Sequence, residues 1–277
     1  MFLLPLIGPD SKRSSTKFKE EVLSKILTVA KYTYLEIIKS RILYATLGLG
    51  LFVAISSFVA SSFTYGTPER VALDFGVGVF SLSAIGIAIF MGATLISREI
   101  ESRTVYLALS RSISRFSFLL GKITGLSLVL AVNILLLGLV TYTVVFLLGG
   151  PFEGIMVWVV CFSFLEAFLL LNVVVLFSLL TNVPLAIFYT LVVYIVGHSI
   201  PTTLETSIVS NNPWLEYFIK IYSYFFPNLT VLNYRDFLTY SIYVPTQSLF
   251  LSLVYGIGYC SFLIFLSAWM FSKRELN

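Results

Sequence analysis

The chain has 277 residues, of which 58% are hydrophobic and only 12% charged, against roughly 45–50% and about 25% in a soluble domain. A single water-soluble core of this size cannot enclose several helices that are apolar on every side, so the composition excludes an ordinary soluble fold and requires lipid. The net charge of +4 is no sign of nucleic acid, because the cations cluster between apolar runs.

In chain order, the stretch from Met1 to Ile7 is too short for a signal peptide. It is followed by Asp10, Lys12 and Arg13, the reverse of the usual charge order, and is expected to be retained. Within residues 1–41 Phe18, Val22, Ile26 and Ala30 recur at i, i+4, with Leu23, Leu27 and Tyr34 beside them. The other face carries Lys17, Glu21, Lys25 and Lys31. The pattern predicts a basic amphipathic helix in the membrane interface, on a cytoplasmic N-terminal segment. A soluble helix packing on a partner is the alternative.

A helix needs about 20 apolar residues to cross a hydrocarbon core of roughly 30 Å. About six segments meet that length, near 42–64, 75–96, 123–148, 155–180, 183–200 and 248–271. They define an all-α integral membrane domain over 42–271, followed by a short tail at 272–277. Pro184 at the start of the fifth segment suits the first turn of a helix. Small residues crowd the second, from Gly76 and Gly78 to Gly92 and Ala93, so this helix is expected to be packed inside.

Lys and Arg near the span ends set the orientation. Fifteen of the 18 fall on the side of the N-terminus and only Arg70, Lys220 and Arg235 on the other. Both N- and C-termini are therefore expected to be cytoplasmic. The outer connection 201–247 is rich in aromatic residues, among them Trp214, Tyr217, Phe218 and Tyr222. Its stretch 214–226 predicts an interfacial or re-entrant helix stopped by Pro227 and Asn228, and Glu216 and Lys220 argue against a seventh crossing.

The densest charged stretch inside the membrane domain is the loop 97–115. Glu99 and Arg103 have the favourable i, i+4 order, and Val105, Tyr106, Leu107 and Leu109 add an apolar patch suited to docking on a soluble partner. On composition alone it is an ordinary basic cytoplasmic loop. The order of Arg98, Glu99, Glu101, Arg103, Thr104, Leu107, Leu109, Ser110, Ile113, Ser114, Arg115, Gly121 and Lys122, however, closely resembles the loop of ABC-2 type permeases. The likeness is strongest to the copper-enzyme-maturation and gliding-motility group, with Ser112 where that pattern commonly has proline.

The resemblance implies a permease half of an ABC transporter that pairs with a second copy or a homologous permease and binds two cytoplasmic ATPase subunits through a coupling loop at 97–115. It also implies a multi-pass location in the plasma membrane, the inner membrane in a bacterium. No nucleotide motif is visible, because Gly121-Lys122 is followed by Ile123 and preceded five residues earlier by Phe116. ATP and Mg would thus be bound by the partner ATPase, with no cofactor, catalytic set or metal in this chain and no nucleic-acid partner. The alternative is a non-transporting membrane anchor that recruits a cytoplasmic protein through the same loop.

Three carboxyl or carboxamide side chains fall inside spans: Asn133, Glu166 and Asn172. A charged carboxylate at mid-bilayer costs on the order of 3 kcal/mol, so Glu166 must face protein or water. It is either a protonated packing residue or part of a pathway. Asn133 is placed to hydrogen-bond across helices, and Asn172 shares a helix with Glu166 but not its face. His198 is the single histidine and supports no metal cluster. Cys161 and Cys260 lie in apolar runs and read as small hydrophobes.

Overall fold

The computed structural model describes residues 9–38, 42–64, 66–101, 114–206 and 212–273. Among them the chain is helical and carries no strand. The helices are α1 (Pro9–Ile38), α2 (Ile42–Ser62), α3 (Pro68–Glu101), α4 (Arg115–Leu147), α5 (Ile155–Leu180), α6 (Val183–Glu205), α7 (Pro213–Phe225), the short α8 (Arg235–Thr239) and α9 (Thr246–Lys273), with a 3-10 turn at Leu229–Leu232 before α8. Six of them, α2 to α6 and α9, are long and apolar enough to cross a membrane. At 13 residues, α7 is not.

The spans alternate in direction. Ser57 of α2 donates to the Ala72 carbonyl of α3 at 2.6 Å, and Tyr142 of α4 donates to the Met156 carbonyl of α5 at 3.2 Å. One face of the bundle therefore holds the start of α2, the end of α3, the start of α4, the 181–182 connection and the end of α9. The far face holds the turns after α2 and α4, together with α7, the 3-10 turn and α8.

α5 is the axis of the bundle. Leu169, Leu170 and Leu171 are consecutive and fully buried, which a helix achieves only when neighbours cover every side. α2 and α9 are peripheral, and Leu51, Phe52, Ile55, Phe250 and Phe265 stand exposed where lipid would solvate them. α3 is intermediate. Its small face is packed as the sequence predicts, but Phe75, Leu82 and Phe90 form an exposed stripe, because residues spaced seven or eight apart share one side of a helix.

Glycines mark the close crossings. A Cβ at Gly92 of α3 would run into the Val174 side chain of α5, and one at Gly256 of α9 into Leu165. α3 and α4 reach beyond the apolar stretches, starting at Pro68 and Arg115, since hydropathy locates the bilayer-crossing part and not the helix ends. Pro68 supplies the first-turn φ of α3, and Ser114 caps α4 by accepting from the Ser117 amide at 3.1 Å. α6 likewise continues past Pro201 to Glu205, the proline removing one backbone bond close to the helix end.

The N-terminal periodicity does give a helix, and its later half lies against α4. Ala30, Thr33 and Ile37 are buried there, while Leu23 and Leu27 remain exposed. Gly121 and Gly125 make the approach possible, for a Cβ at Gly125 would lie 2.6 Å from the Thr33 Cβ and 2.8 Å from the Ala30 carbonyl oxygen. Gly125→Leu is accordingly expected to lower the stability of the purified protein by about 1–3 kcal/mol, read as a lower melting temperature in detergent. Gly48→Leu, at a position with open space around it, should change nothing. Equal effects of the two would remove the α1–α4 seam from the fold.

Candidate functional site

A cavity of about 160 Å³ opens between α3, α5, α6 and the segment joining the 3-10 turn to α8. Glu166 lies about three turns into α5 from the far face, at a depth of roughly 16 Å. Its side chain is 92% buried, and His198 of α6 brings Nε2 to 3.4 Å from its Oε1. That oxygen has no hydrogen-bond partner among the described residues.

The imidazole is oriented from behind. Nδ1 lies 3.3 Å from the Tyr194 carbonyl oxygen one turn earlier, and a carbonyl only accepts, so Nδ1 is the donor there and Nε2 is turned toward the carboxyl. Nε2 and Oε1 then face each other across 3.4 Å. The Tyr194 ring packs on His198 with centroids 4.7 Å apart.

Arg235 starts α8 at the cavity rim. Its Nε and Nη2 lie 3.0 Å and 2.9 Å from Oδ1 of Asp74 on α3, and Thr239 donates to the same oxygen at 3.2 Å. Gly78 leaves the room, since a Cβ there would be 2.7 Å from the guanidinium. Tyr234 anchors the segment. Its ring stacks on Phe162 of α5 at 4.6 Å and its hydroxyl lies 2.8 Å from Ser252 Oγ of α9.

The polar residues singled out from sequence separate into different places. Glu166 is in the cavity. Asn133 accepts from Thr46 of α2 and donates to the Val129 carbonyl of its own helix at 2.6 Å, which ties α2 to α4. Asn172 is fully buried six residues further along α5 than Glu166, donating to the Phe168 carbonyl at 2.7 Å.

In the loop region Arg98, Glu99 and Glu101 form the last turn of α3. Arg103, Thr104, Leu107, Leu109 and Ser110 lie outside the described residues. Arg115 opens α4 and donates from Nη1 to the Ser272 carbonyl at the end of α9, 3.2 Å away. Lys122 turns inward, 6% exposed, with its ammonium 3.8 Å from Glu36 of α1 and over the Phe118 ring at 5.9 Å. It therefore fastens α1 to α4.

Asp74, Tyr194 and the rim role of Arg235 were not evident from sequence. A usable signal was present in Asp74, a carboxylate immediately before the predicted span 75–96, together with one of only three cations on the far side.

Fold and cavity together define a multi-pass helical membrane protein with six candidate spans. Residues 57–158, from the second half of α2 to the start of α5, match the family described as ABC-2 membrane transporter related. Comparison with curated proteins found no match.

Proposed function

We propose that this chain is the membrane-spanning permease subunit of an ABC-2 type transporter. It dimerises with itself or a homologous permease in the plasma membrane and moves a substrate with energy from two separate ATPase subunits. The observation that carries the reading is the position of the family match, which brackets the 97–115 connection with the two spans that enter and leave it. The charge asymmetry supports the cytoplasmic placement of that connection.

A route from the loop to the cavity supports the same reading. α3 is one continuous helix of 34 residues, about 51 Å long at 1.5 Å per residue. Its far end carries Asp74 and Gly78 at the cavity, and its last turn carries Glu99 and Glu101. Gly76 and Gly92 pack it tightly against α2, α4 and α5, so displacement at the loop end moves the cavity wall instead of bending an isolated helix.

The test is affinity purification of the tagged chain from its own membranes in mild detergent. An ATP-binding-cassette subunit should be recovered and should hydrolyse ATP in the complex. Recovery of a cytoplasmic protein without a nucleotide-binding motif would instead favour a membrane anchor.

Topology has its own check in single cysteines placed in a cysteine-free background. Ser14→Cys, Ser112→Cys and Ser272→Cys should be shielded from an impermeant reagent added to intact cells, and Thr206→Cys should react. Outside labelling of Ser112→Cys would invert the orientation and end the coupling-loop assignment.

A further inference from the structure

We propose that the cavity between α3, α5, α6 and α8 is a binding site for a small organic cation, an ammonium head group, with Glu166 as its counter-charge. Three observations select this chemistry. The cavity floor is a carboxyl group that is nine-tenths buried and has one oxygen with no hydrogen-bond partner among the described residues. Such a group is costly to leave unmatched in low dielectric, and a ligand that donates hydrogen bonds or brings positive charge offsets that cost.

Aromatic rings stand in the walls. Tyr194, Tyr234 and His198 line the same space, and ring faces around a carboxylate are the recurring means of holding an ammonium ion, substituted or not. The charge balance points the same way. The guanidinium of Arg235 is already matched by Asp74 at the rim, which leaves the Glu166 carboxyl, faced by His198, as the acidic group in the cavity lining among the described residues and argues against an anionic occupant.

A metal ion fits less well, because among the described residues no three His, Cys, Asp or Glu side chains converge and hard cations seek six or more oxygens. Size limits the occupant further. At about 160 Å³ the space is below the roughly 300–1,000 Å³ of drug-sized sites, so it takes a head group and not a whole bulky molecule. Ser81 and Ser163 at its edge supply hydroxyls for the hydrogen bonds of a primary ammonium.

Such a head group could come from a free amine or from a lipid, and the test has an arm for each. The full chain is placed in nanodiscs of phosphatidylglycerol, which has no ammonium group, and equilibrium binding of labelled tetramethylammonium and of ethanolamine is measured. Saturable binding is expected for at least one of them. Glu166→Gln should weaken it at least tenfold while the protein stays monodisperse, and Tyr194→Leu, which leaves the carboxyl in place, should weaken it about two- to thirtyfold through loss of a ring face. Repeating the measurement in phosphatidylcholine nanodiscs separates the sources: loss of free-probe binding identifies the lipid head group as occupant, and unchanged binding a soluble amine. No saturable binding of either probe in phosphatidylglycerol, or binding that neither substitution alters, would overturn the proposal. The assay uses no ATPase, so its result is independent of whether the chain is an ABC permease.

Discussion

Glu99→Lys or Arg103→Glu is expected to leave expression and oligomer size near wild type while recovery of the ATPase falls sharply. The spans are held by helix packing such as the α3–α5 and α1–α4 crossings, and residue 99 lies in the last turn of α3, about two turns past the Gly92 crossing. A surface substitution away from such features usually changes stability by no more than about 0.5 kcal/mol. At a partner surface the same charge becomes one half of a desolvated pair, where removing one member costs roughly 2–5 kcal/mol, or about thirty- to several-thousandfold in affinity. Arg70→Glu, close to the start of α3 on the far face, serves as the control and should bind the ATPase normally. Unchanged ATPase recovery in both loop variants would return this stretch to the role of a basic topogenic loop.

Glu166→Lys should be the most damaging single change in the bundle. The side chain is enclosed by α3, α5 and α6 at a depth of roughly 16 Å, and among the described residues an amine there would find no other acidic side chain in the cavity lining, Asp74 at the rim being already matched by Arg235. Insertion of a cation at mid-bilayer costs on the order of 3 kcal/mol or more, a large fraction of the margin that keeps a domain folded. Expression and the monodisperse peak in size-exclusion chromatography should fall away together. Glu166→Gln keeps the volume and hydrogen-bonding capacity and should assemble normally, so that any loss it causes is one of ligand binding. A well-assembled Lys variant would mean that the cavity is fully hydrated from the far face.

The spans were legible because each is a long apolar run, and lipid imposes that requirement on every crossing helix. Their ends were less so, since Pro68–Asp74 and Arg115–Lys122 are helical for reasons of capping and proline geometry that hydropathy does not register. The N-terminal pattern revealed a helix but not its neighbour. What decides that neighbour is the pair Gly121 and Gly125 on α4, whose missing side chains only become meaningful once Val29 and Thr33 are known to lie against them.

The cavity was the least visible feature. Arg235 and Asp74 are 161 positions apart, and nothing local pairs them. Glu166 and His198 were each conspicuous in an apolar span, yet their meeting depends on α5 and α6 being antiparallel neighbours at one height. The loop signal was of the opposite kind. It lay in residue order within a short stretch and needed no tertiary information, and the family match at residues 57–158 encloses it.

The most direct measurement is site-specific photo-crosslinking in living cells, with a photoreactive side chain placed in turn at Thr104, Leu107 and Ser110 of the loop and at Thr206 on the far face. The three loop positions are expected to yield an adduct with an ATP-binding-cassette ATPase, and Thr206 none. Loop positions that give no such adduct, or an equal adduct from Thr206, would contradict the assignment of this chain as an ATPase-coupled permease.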